Sequence, residues 1–121
     1  QPLMHRISSF LKSGLKPCAG SDNPVAPLNP LLSIHAAVNR RTADGSVFFS
    51  RERVLPSAAL EMHTRAAAYA SFDETVKGTI SPGKLADFTI ISDDPMKIAP
   101  EKIRDIKVNA TIIGGEVVWR S

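Results

Sequence analysis

The hydrophobic pattern changes period once, around Phe72, and that switch limits what the chain can fold into. Before it, apolar residues recur every three or four positions, as on one face of a helix; after it they alternate, as on one face of a sheet. The spacing of Leu3, Ile7, Phe10 and Leu11 predicts a helix over 3–13, stopped by Gly14. Asn29-Pro30 pairs a good N-cap with proline at the first helical position, and Leu31, Ile34 and Val38 carry the stripe to about Arg41. A further helix is expected from Ser57 to Ala70, with Ala59, Met62, Ala66 and Tyr69 on one side. Beyond Phe72, Val76–Ile80 and Phe88–Ile91 are expected to form a hairpin through a type II turn at Ser81-Pro82-Gly83-Lys84. Pro100–Ile103 reads as a single helical turn. Ile106, Val108, Ala110 and Ile112 then alternate with polar residues, and Gly114-Gly115 supplies a two-residue hairpin into Glu116–Trp119. Trp119 is expected to be substantially buried.

The stretch that looks functional lies in the helical half. Leu15–Gly20 is short and largely apolar, and it leads into Ser21-Asp22-Asn23-Pro24. This reads as a strand followed by a loop, with Pro17 awkward in it because proline donates no ladder hydrogen bond. In α/β folds a polar residue at the C-terminal end of a strand is a frequent seat of chemistry, which singles out Asp22. Taken locally, Ser-Asp-Asn-Pro is also good turn and capping chemistry.

Composition removes several function classes. With 121 residues, 43% of them hydrophobic and 22% charged, the chain is an ordinary globular domain's worth. Fifteen basic residues against twelve acidic ones give a net charge of +3, but they are scattered, and Arg40-Arg41 is the only adjacent basic pair. A nucleic-acid surface needs clustering, so none is expected. The arginine pair reads as a solvated helix end, with contact to a substrate acid as the sharper alternative. Cys18, the single cysteine, cannot form an internal disulfide and reads as a small buried hydrophobe. No apolar run is long enough to span a membrane. The expected location is cytoplasmic. His5, His35 and His63 have no metal-pair spacing such as His-x-His, so they read as solvated or core histidines.

Four sequence pieces, in order, resemble the C-terminal end of a metal-dependent amidohydrolase, in the branch called amidohydrolase family 3. They are Gly14-Leu15 with Gly20-Ser21-Asp22-Asn23-Pro24-Val25; Leu28-Asn29-Pro30-Leu31 with Ala37-Val38-Asn39-Arg40; Ala59-Leu60, Thr64 and Ala67-Ala68-Tyr69-Ala70; and Lys77-Gly78-Thr79-Ile80 with Gly83-Lys84-Leu85-Ala86-Asp87-Phe88. The closing Thr111-Ile112-Ile113-Gly114-Gly115-Glu116-Val117-Val118 fits the same pattern. The resemblance implies an α/β plus β chain. Residues 1–71 would be the end of a (β/α)8 barrel, comprising a helix, the eighth strand and its following helices. Residues 72–121 would be part of a small composite β-sandwich, in which Gly78 to Asp87 is a structural signature.

The same resemblance implies that Asp22 is both catalytic residue and metal ligand, binding a divalent metal, expected to be zinc, and carrying a proton during hydrolysis of a carbon-nitrogen (amide) bond in a small-molecule substrate. The family's other ligands precede Gln1, so the parent is expected to be the enzyme. This chain alone is expected to be inactive and to hold no metal. A chain starting inside a helix is expected to be a piece whose missing N-terminal part is a partner, and self-association into a homo-oligomer is expected from its unpaired edges. The rival reading is a non-enzymatic interaction or regulatory module derived from an amidohydrolase.

Overall fold

The computed structural model describes residues 5–121. The first helix, α1, spans Ile7–Lys12, and Leu3 lies outside the described residues. Its end is closed as its sequence indicates: Gly14 sits at φ +82°, its N–H donates to the Leu11 carbonyl at 3.1 Å, and the Leu15 N–H donates to the Phe10 carbonyl at 3.1 Å. These two bonds satisfy carbonyls that a helix terminus otherwise leaves open.

Helix α2, Pro30–Asn39, starts at Asn29, whose side chain accepts the Leu31 N–H at 3.0 Å. It buries Leu31, Ile34, Ala37 and Val38 against Ala59, Ile103 and Ile106 in one cluster. Ala59 comes from α3, Pro56–His63. Ile103 belongs to a 3₁₀ helix over Pro100–Asp105, so this core draws on both sides of Phe72. The buried Asn39 side chain ties the two together by donating to the carbonyls of His35 at 3.0 Å and Pro100 at 2.9 Å. Ile103 is 0% exposed. Ile103→Ala should therefore lower the unfolding free energy by about 2–5 kcal/mol, read from the midpoint of urea denaturation at unchanged slope.

The alanine-rich helix is not continuous. It breaks at Thr64 (φ −124°, ψ −92°) and resumes as α4, Arg65–Ala70. The turn at Gly78 packs on this break. A Cβ built there would lie 2.6 Å from Ala68 Cβ, 3.2 Å from Arg65 Cα and 3.3 Å from the Thr64 carbonyl oxygen. Only a residue without a side chain lets the two backbones approach this closely.

Strands β1 (Phe88–Ile91), β2 (Val108–Ile113) and β3 (Glu116–Arg120) form one antiparallel sheet in the order β1-β2-β3. Gly114 and Gly115, at φ +59° and +88°, make the expected hairpin turn. It is held from outside as well: the Gly114 N–H donates to the Asp87 carboxylate at 2.8 Å and the Gly115 N–H to the Ala86 carbonyl at 2.9 Å.

Three further expectations are corrected. Leu15–Gly20 is extended but not a strand, because none of the described residues pairs with it as a ladder, and Pro17 has no N–H to offer. Val76–Ile80 is not a strand either. The Val76 and Lys77 N–H groups both turn back to the Asp73 carbonyl, at 2.8 and 2.9 Å, and β1 pairs with β2 instead. The Ser81–Lys84 turn does form, with Gly83 at φ +86° and the Lys84 N–H donating to Ser81 at 3.2 Å. Lys84 Nζ then pins the loop through the Glu74 carbonyl at 2.6 Å and Thr79 Oγ1 at 2.7 Å. Finally, Trp119 is 48% exposed rather than buried, since β3 is an outer strand whose every residue is exposed.

Candidate functional site

Asp22 stands just past the extended segment. That segment is anchored near its end by the Ala19 N–H, which donates to the Met62 carbonyl at the end of α3 at 3.1 Å. Four residues of turn follow, with Asp22 in the left-handed region at φ +51°. Short polar side chains such as aspartate are among those that tolerate this conformation. The Asp22 carbonyl accepts the Val25 N–H at 2.8 Å, and Asn23 Nδ2 reaches the Ala26 carbonyl at 3.4 Å. The Asp22 side chain is exposed.

No three His, Cys, Asp or Glu side chains converge among the described residues. One carboxylate can supply one metal ligand, whereas a catalytic divalent site takes about three from the protein plus water. Residues 5–121 therefore do not by themselves make a metal centre, and Asp22 fits only as a single contributor to one.

The histidines lie elsewhere. His5 is exposed, and its ring meets Phe48 edge-on at 6.4 Å. His35 is half-buried on α2; burial first, then the positive charge of Arg104, lowers its pKa, with Asp105 and Glu101 opposing. His63 Nε2 lies 3.2 Å from Ser33 Oγ, and burial lowers its pKa as well. A base whose folded pKa is depressed resists protonation in the native state, so the unfolded chain takes up more protons below the ordinary histidine value of 6.5. Stability is therefore full above that value and falls as the pH drops through it. The carboxylates held low by hydrogen bonds, Glu52, Asp73 and Asp94, lose their contribution only in the more acidic carboxylate range. Thermal unfolding should show a loss of Tm between about pH 7 and 5 that His63→Gln reduces.

Two residues behave differently from their sequence context. Cys18 is exposed, because the segment carrying it has no strand neighbours to cover it. Arg40 is the reverse case: it is not a solvated helix end but is 8% exposed. It caps α2 in the left-handed conformation, φ +51°, and its guanidinium carbon lies 5.6 Å from the centre of the Phe48 ring. Desolvation lowers its pKa, and the charge of Glu52 opposes that shift. Glu52 is itself buried, with its oxygens taken up by the Ser9 N–H at 2.9 Å and Ser9 Oγ at 2.6 Å. Composition could not have found this pair, because both residue types are ordinarily on the surface. Arg41 remains exposed and donates to the Gly45 carbonyl at 2.9 Å.

The sequence pattern of the amidohydrolase family matches residues 1–119. The chain belongs to that family. It is 31% identical over 92% of its length to YtcJ of Bacillus subtilis, a protein named as an amidohydrolase, and covers 22% of it. It is 30% identical over 90% of its length to the N-substituted formamide deformylase of Arthrobacter pascens, covering 20% of that protein. A plant protein, LONG AFTER FAR-RED 3 of Arabidopsis thaliana, is 37% identical over 93% of the chain, which covers 19% of it. The family chain thus spans about a fifth of the length of these relatives. Its backbone resembles an amidohydrolase of Thermotoga maritima MSB8 with a TM-score of 0.73 at 25% identity, over 95% of this chain and 26% of that one. Among the described residues, no helix is long and apolar enough to cross a membrane.

Proposed function

We propose that this amidohydrolase-family chain is the C-terminal part of a metal-dependent hydrolase acting on non-peptide carbon-nitrogen bonds, with Asp22 as the one residue that meets the reacting centre. The observation that carries this reading is the family match over residues 1–119, Asp22 included. The name of the Arthrobacter pascens relative, a deformylase of N-substituted formamides, points to an amide-type substrate. In this reading residues 1–71 complete a barrel begun by preceding sequence, and residues 72–121 contribute to a composite β-sandwich.

Asp22 fits the role on chemical grounds. Its carboxylate is exposed at the end of the extended segment, open to a metal ion and to water from other parts of a longer protein. A divalent metal, with zinc the expected ion, lowers the pKa of water toward neutrality when bound. The carboxylate of Asp22 would hold one position of such an ion, accept at an oxygen the proton given up by the attacking water, and return it to the departing amine.

The test is an assay of the complete polypeptide on a panel of N-formyl and N-acyl amines, before and after chelator treatment. Hydrolysis that is lost with the metal and restored by zinc supports the proposal. A complete polypeptide whose hydrolysis survives thorough metal removal contradicts it.

A further inference from the structure

The extended segment that carries Asp22 is tied to the helices at two points, and these fall on opposite sides of the break at Thr64. Within residues 16–20, the Ala19 N–H makes the only backbone hydrogen bond to another element among the described residues, and its acceptor is the Met62 carbonyl of α3. Three residues earlier, Lys16 Nζ stands 4.2 Å from the centre of the Tyr69 ring of α4. The angle at which α4 leaves α3 therefore governs the course of the segment, and with it the place where the Asp22 turn begins.

That angle is set from two directions. In an unbroken helix the Met62 carbonyl points at the Ala66 N–H, and Thr64 stands between the two. Thr64 Oγ1 donates to the Leu60 carbonyl at 2.9 Å and the Thr64 N–H to the Glu61 carbonyl at 3.2 Å, back-bonding of the kind that bends a helix. From the other side, Gly78 rests on Thr64, Arg65 and Ala68 at a distance that leaves no room for a Cβ. Neither Thr64 nor Gly78 makes a hydrogen bond to residues 21–24, so the path from the break to Asp22 runs through the segment.

We infer that the break between α3 and α4, with Gly78 packed on it, positions the Asp22 carboxylate, and that Thr64 and Gly78 are positioning residues for the reaction. Asp22's part in that reaction rests on the hydrolase reading above; the coupling of the break to the segment rests on the two ties alone. A group displaced by about 1 Å from its reacting geometry loses rate steeply, so a side chain at position 78 that pushes α4 away acts on turnover without touching the site.

The experiment uses the complete polypeptide and two readouts: amide hydrogen exchange of the peptide covering residues 15–22, and kcat and KM on the N-formyl and N-acyl amines. Gly78→Ala should raise exchange in that peptide about tenfold or more and lower kcat about tenfold or more, with KM within about twofold. Gly83→Ala, which meets nothing within 4 Å, should change neither. Adding Ala68→Gly to Gly78→Ala removes the shortest of the three contacts and should return kcat to within about threefold of the unaltered protein. The double variant keeps its left-handed alanine and gains a helical glycine, so its Tm should stay low while its kcat recovers. Unchanged exchange in Gly78→Ala overturns the inference, as does raised exchange with kcat unaltered. A kcat that follows Tm across the variants, with no recovery in the double one, overturns it too. If Gly78→Ala does not fold, Tyr69→Leu decides: Tyr69 is 45% exposed, and losing its ring removes the Lys16 tie, so exchange should rise and kcat fall about twofold or more, and no change in either is the contrary result. A polypeptide that hydrolyses none of the amines refutes the proposed function, whereas the exchange comparison still decides whether the break holds the segment.

Discussion

Gly78→Ala should destabilise the chain by about 3 kcal/mol, combining the cost of a left-handed non-glycine residue with that of overpacking. Gly78 sits at φ +91°, and its new Cβ would lie 2.6 Å from Ala68 Cβ, a separation that real Cβ atoms essentially never show. The neighbours cannot swing aside: Arg65 Cα and the Thr64 carbonyl, at 3.2 and 3.3 Å, are backbone atoms at the break between α3 and α4. Gly83→Ala is the matched control. Gly83 has nearly the same φ, +86°, with nothing within 4 Å of the built Cβ, so it should lose only the conformational part, about 1 kcal/mol. Urea denaturation of both variants checks this, and equal losses would remove the role given to close approach at Gly78.

That comparison also shows where sequence reading stops. Both glycines occur in the stretch that resembles the family, but Gly83 reads as a turn residue and Gly78 as part of the expected strand Val76–Ile80. Gly83 is explained by its immediate context, since Pro82-Gly83 dictates a turn locally. The demand on Gly78 comes from a helix about ten residues away that is broken, although its alanine-rich sequence reads as continuous.

The same distinction runs through the fold. Asn29-Pro30, Gly14 and Gly114-Gly115 act through atoms within a few residues, and the structure places helix ends and hairpin where those residues indicate. Leu15–Gly20 reads as a strand and is not one, because a strand is a property of two segments and nothing in its own sequence reports a neighbour. Val76–Ile80 also reads as a strand and is not one, because the Asp73 carbonyl captures the N–H groups of Val76 and Lys77, and the ion pair of Lys77 Nζ with Asp73 at 2.9 Å reinforces that turn. In the candidate site, the exposed Asp22 was legible from its position after an apolar run. Buried Arg40 was not, since its burial depends on a Phe48 side chain that folds back from the following loop.

Asp22→Asn, made in the complete polypeptide under the proposed function, should reduce kcat by about two to four orders of magnitude with the fold retained. Asparagine keeps the size of aspartate and an oxygen able to ligate, but it has no carboxylate to receive a proton. Asp22→Ala removes ligand and proton carrier together, so the two variants separate the roles. A large loss in Asp22→Asn with metal content preserved, measured by metal analysis of the purified protein, assigns the loss to proton transfer. A large loss only in Asp22→Ala, accompanied by loss of metal, assigns Asp22 to binding alone. The exposed turn makes the substitution structurally mild: the local bonds run through the Asp22 carbonyl and the Asn23 side chain, and asparagine tolerates φ +51° as readily as aspartate. Circular dichroism and Tm should therefore match the unaltered protein. If Asp22→Asn hydrolyses substrate at the unaltered rate, Asp22 has no part in the chemistry and its role is the turn that its neighbours Ser21, Asn23 and Pro24 already describe.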